Sequence, residues 1–66
     1  MMTPTQTKIL NALANGPLTY YDLMAKVEAR ESTINKAVLA LLDLEKIVEV
    51  KIGQSVGLEL NESKDD

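Results

Sequence analysis

Apolar positions keep a helical period through the first two thirds of the chain and then alternate. Ile9, Ala12 and Leu13 fall on one helical face with Leu10 on its shoulder. Ahead of them, Thr3-Pro4-Thr5-Gln6 has the form of a capping box with proline at the first helical position, where its missing N–H costs nothing. Asn15-Gly16-Pro17 then supplies a stop, so the spacing predicts a first helix over about 4 to 14.

Thr19 is placed to cap a second helix starting at Tyr20, with Asp22 completing the box three residues on. Tyr20, Leu23, Met24 and Val27 share its apolar side, while Tyr21, Asp22, Ala25 and Lys26 lie on the exposed side. After a break at Glu28-Ala29-Arg30-Glu31, the stripe Ile34, Ala37, Val38, Leu41, Leu44 predicts a third helix over about 32 to 45, with Ser32 as its cap.

Ile47-Val48-Glu49-Val50-Lys51-Ile52 switches to a period of two, and Gly53-Gln54-Ser55-Val56-Gly57 separates it from Leu58-Glu59-Leu60. This predicts a β-hairpin. If both strands bury one common face, the loop has an odd number of residues, because facing residues share a face. A three-residue loop sets Glu49 against Glu59; a five-residue loop pairs Lys51 with Glu59 and is preferred on charge.

Sixty-six residues make one domain, and 45% hydrophobic with 26% charged residues is the balance of a chain that folds. There is no cysteine and no histidine, which removes thiolate and imidazole chemistry, ordinary zinc sites and disulfides. With no room for a large dry pocket either, no enzyme, cofactor or metal site is expected; Glu62, Asp65 and Asp66 at the terminus do not organise a cation. No run approaches the ~18 apolar residues of a membrane span and no secretory leader is visible, so a soluble, cytoplasmic protein without membrane contact is expected.

The net charge of −3 is uneven along the chain. Acids and bases balance through residue 58, and Glu59, Glu62, Asp65 and Asp66 against Lys64 carry the excess. The run from Asn61 to Asp66 reads as a frayed, solvated end, and the expected organisation is a folded domain over 1–61 with a flexible acidic tail over 62–66.

Three helices, the second and third joined by a tight turn, followed by a two-stranded hairpin, resemble the winged helix-turn-helix family of bacterial and phage regulators. The resemblance is carried by Thr19, Leu23, Ala29, Ile34, Ala37, Val38 and Leu41, and by Leu41-Leu42-Asp43-Leu44-Glu45-Lys46-Ile47-Val48 running into the wing. Glu28, Arg30 and the lack of a glycine before Ile47 depart from the family's usual turn residues. The implied fold is α+β, mainly α: a three-helix bundle with a β-hairpin wing.

The resemblance also implies a DNA-binding transcriptional regulator whose third helix enters the major groove. The readers would be Ser32, Thr33, Asn35 and Lys36, with Asn35 suited to adenine and Lys36 to guanine or phosphate. Lys26, Arg30, Lys51 and Gln54 would hold the DNA backbone, with the Tyr21 hydroxyl as a weaker donor. For Tyr20, core packing is the expectation.

A second reading comes from the third helix itself. Its outward side carries Lys36, Leu39, Ala40 and Asp43, which is not a basic stripe. Leu39 and Ala40, with Leu42 on the shoulder, are therefore candidates for a protein interface, either in a homodimer with two reading heads or in an adaptor module that binds no nucleic acid.

Overall fold

The computed structural model describes residues 2–61. The first helix, α1, spans Pro4–Leu13. Thr3 closes the expected capping box: the Gln6 amide donates to Thr3 Oγ1 and the Thr3 amide to Gln6 Oε1, both at 3.2 Å. The chain then turns at Gly16, whose N–H donates to the Leu13 carbonyl at 3.1 Å.

A two-residue strand, β1 (Leu18–Thr19), precedes α2 (Tyr20–Lys26). Thr19 Oγ1 accepts from the Asp22 amide at 3.1 Å, which caps α2 as expected, although only this half of the box forms. Val27 ends the helix in an extended conformation. The third helix, α3, spans Glu31–Asp43. Its cap is Arg30, which makes no side-chain cap hydrogen bond, so Ser32 is not the cap but the second residue of the helix.

The helix ends in a Schellman turn. The amides of Glu45 and Lys46 donate to the carbonyls of Leu42 and Leu41 at 3.0 and 2.9 Å. Glu45 occupies the left-handed position at φ 60, where glycine is usual. The glycine missing from the sequence is thus replaced by a strained glutamate, not by a different turn.

Strands β2 (Ile47–Ile52) and β3 (Ser55–Leu60) form the hairpin. The sheet has three antiparallel strands in the order β1-β3-β2, one more than the sequence pattern predicts, because two residues are too few to show a period. Gly57 makes room for the extra strand: a Cβ there would lie 2.6 Å from the Leu18 carbonyl oxygen and would overlap the Ile52 side chain.

The hairpin turn has two residues, Gly53 and Gln54, so neither odd loop length occurs. Gly53 at φ 64, in the first central position, has the sign required by a type II′ turn. The register sets Lys51 opposite Val56 and Val48 opposite Glu59, which puts Lys51 and Glu59 on opposite faces and removes the expected pair. The odd-loop expectation fails because β2 does not bury one face throughout. Ile47 is buried from one side, whereas Val48, Val50 and Ile52 are half-buried on the other, with Ile52 folded over Gly57.

The core draws on every helix and both long strands: Ile9 and Leu13, Leu23, Val27, Ile34, Ala37, Val38 and Leu41, Ile47 and Leu58. Among the described residues no polar or charged side chain is buried. Asn61 departs from the frayed-end expectation. Its amide donates to the Lys46 carbonyl at 3.0 Å and its side-chain Nδ2 to the Glu45 carbonyl at 2.9 Å, tying the end of β3 to the turn after α3. The tail over 62–66 lies outside the described residues.

Candidate nucleic-acid interface

The placement of α3 follows from two buried anchors on either side of the turn before it. Val27 and Ile34 are 2% and 0% exposed. Between them the Ala29 amide donates to the Val27 carbonyl at 2.9 Å, and the Ile34 amide to the Arg30 carbonyl at 2.9 Å. Ala29, which belongs to the motif that carried the resemblance, is itself exposed. Four residues thus suffice to reverse the chain and start α3.

Burying Ile34, Ala37, Val38 and Leu41 turns the opposite side of α3 to solvent. Ser32, Thr33, Asn35 and Lys36 are all exposed, as are Lys26 and Arg30 at the turn and Lys51 and Gln54 on the wing. Thr33 and Lys36 line a shallow groove with Thr3, Thr5 and Gln6 from the first turn of α1. Lys26 shares a second groove with Lys8, Asn11 and Ala12. Lys8 is a cation that the sequence pattern did not single out, because its closeness to Lys26 depends on how α1 packs beside α2.

Charges are mixed at the start of α3, where Arg30 and Lys36 flank the acid Glu31, while Asp43 closes the C-terminal end with no base in the last turn. The outward side is exposed along the whole helix, from Ser32 to Asp43.

The two tyrosines separate as expected. Tyr21 is 80% exposed, whereas Tyr20 is half-buried against the core. Burial pushes the Tyr20 hydroxyl above its ordinary pKa, and the neighbouring Glu49 carboxylate, which accepts a hydrogen bond from it, adds to the effect. This link between the start of α2 and β2 of the wing leaves no trace in the sequence pattern. Of the three interface candidates, Leu39 is 66% exposed, whereas Ala40 and Leu42 are half-buried and Leu42 packs on the core.

A helix, a tight turn, a second helix with an exposed polar N-terminal half, and a hairpin beside it make a winged helix-turn-helix. The family model described as "Bacterial regulatory protein, arsR family" matches residues 3–36, just over half of the chain. The chain belongs to this family. The match covers α1, α2 and the first half of α3, which carries Ser32, Thr33, Asn35 and Lys36.

Solved structures extend the likeness to the wing. The adhesin competence repressor AdcR of Streptococcus pyogenes aligns with a TM-score of 0.83 at 25% identity, over 97% of this chain and 50% of its own. ZitR of Lactococcus lactis, solved as a double mutant, aligns with a TM-score of 0.84 at 26% identity, over 94% of this chain and 44% of its own. The solution structure of apo-NmtR aligns with a TM-score of 0.69 at 28% identity, over 96% and 53%. This arsR-family chain therefore spans about half the length of the structures it matches. No curated protein matches it. Among the described residues, no helix is long and apolar enough to cross a membrane.

Proposed function

We propose that this chain is the DNA-reading part of a transcriptional regulator. α3 enters the major groove, where Asn35 takes the edge of an adenine and Lys36 a guanine or phosphate, with Ser32 and Thr33 beside them. Lys26, Arg30 and the Tyr21 hydroxyl hold phosphates around the turn, and Lys51 and Gln54 do so from the wing. One observation carries the reading: in a chain of a bacterial regulatory family, burial of one α3 stripe leaves the polar ridge Ser32, Asn35, Lys36 facing out directly after the turn.

Few cations flank that ridge, so affinity rests on a small number of phosphate contacts and falls with salt accordingly. Two copies on a two-fold site would double those contacts, and a homodimer is the assembly we propose. The chemistry proposed is recognition alone; none of these roles requires a bond to be made or broken.

The test is an NMR titration of the labelled chain with a duplex of about 20 base pairs, at about 50 and then 200 mM salt, with light scattering to fix the oligomeric state. Shifts at Arg30 to Lys36 and at Lys51 to Gln54 that fade with salt are expected. An unchanged spectrum at the lower salt would overturn the reading.

A further inference from the structure

Leu39 stands on the outward face of α3 at 66% exposure. It lies one helical turn beyond Asn35 and Lys36 and one turn before Asp43. Its apolar neighbours do not extend it into a patch, since Ala40 and Leu42 are half-buried and Leu42 packs against the core. Apolar surfaces that dock proteins run to a few hundred Å². A single leucine tip ringed by an amide, an ammonium and a carboxylate falls well short of that.

The same arrangement suits a different surface. In the major groove the 5-methyl group of thymine is the apolar feature among hydrogen-bond donors and acceptors, and small apolar contacts read it. Four residues along a helix are a rise of about 6 Å, against about 3.4 Å for each base along a strand, so Leu39 reaches about two base pairs past the base met by Asn35. Asp43, a further turn along, carries the charge that phosphates repel. Leu39 is thus the last outward side chain of α3 that phosphates do not repel.

We propose that Leu39 is a specificity-determining residue that packs on the 5-methyl group of thymine, about two base pairs from the base read by Asn35. The proposal rests on the DNA-reading function above and adds to it a sequence preference that hydrogen bonds do not supply. It also accounts for a leucine kept in solvent within α3, where the other apolar positions are at least half-buried and only the C-cap Leu44, beyond Asp43, is also exposed.

The experiment selects a duplex from a randomised pool with the wild-type chain. Each thymine of that duplex is then replaced in turn by deoxyuridine, which removes the methyl group alone. One or two replacements are expected to weaken binding about fourfold each, which corresponds to about 0.8 kcal/mol. Leu39→Ala is expected to bind the thymine and uracil duplexes equally, while Asn35→Ala keeps the uracil penalty. Because Leu39 is exposed, its truncation is expected to leave thermal melting unchanged, and this is measured alongside.

Uracil duplexes bound as tightly as thymine ones at every position, or a penalty that survives in Leu39→Ala, would overturn the proposal and leave DNA binding standing. Self-association lost in Leu39→Asp with DNA affinity intact would give the residue to a protein interface instead. Failure of the wild-type chain to retain any duplex at low salt would remove the DNA reading and this proposal together.

Discussion

The hydroxyl of Tyr20, the first residue of α2, donates to the carboxylate of Glu49 in β2 and joins the helix-turn-helix to its wing. Burial first and the Glu49 charge second hold its pKa above the ordinary 10.0. A group whose folded pKa is raised contributes stability that is fully present below its unfolded pKa and is lost as pH rises through the folded value. The chain is therefore expected to lose stability above about pH 10, and Tyr20→Phe to flatten that loss. In a Tyr21→Phe background, phenolate absorbance reports Tyr20 alone. Glu49→Gln is expected to lower the titration midpoint but keep it above 10.0, because burial is the larger cause.

Gly57 is expected to tolerate no side chain. Its Cβ would meet the Leu18 carbonyl oxygen at 2.6 Å, and backbone yields less readily than a side-chain tip. Gly57→Ala should lower stability by about 1–3 kcal/mol in urea unfolding, the range for an overpacked site. Amide exchange at Leu18 and Thr19 should quicken more than elsewhere, since β1 pairs only with β3.

Lys36→Ala and Asn35→Ala separate the two kinds of DNA contact. Loss of the lysine is expected to weaken binding to all sequences and make the logarithmic salt slope shallower by about one. Loss of the asparagine is expected to relax preference at one base pair by about 1–3 kcal/mol with little change in slope. Affinities measured on matched and mismatched duplexes across a salt series give both quantities.

The three helices were legible in the sequence because each carries its own signals: the Thr3 and Thr19 caps, the stop at Gly16 and Pro17, and the unbroken Ile34 to Leu41 stripe. The hairpin was legible as an element but not in register. Its pairing is decided by Gly57 and Ile52, which pack across strands, and a count of alternating residues treats Gly57 as part of a loop. The candidate readers on α3 came from the family resemblance, and the buried stripe adds only that their side of the helix faces outward. The Tyr20 and Glu49 contact joins elements far apart in the chain, and local pattern holds no information about such a meeting.

The three-stranded sheet is three strands wide only midway along β3, where Leu58 and Gly57 pair with Leu18 and Thr19. β1 reaches no further than Thr19 opposite Gly57, and from there to the Gly53-Gln54 turn the hairpin stands two strands wide. Two strands alone are marginally stable in water, so rigidity falls along the wing toward its tip. The wing behaves as a cantilever clamped at Leu58, with Lys51 and Gln54 near its free end. Such a beam follows a surface that varies in shape, while the helix fixed at its root keeps a single alignment.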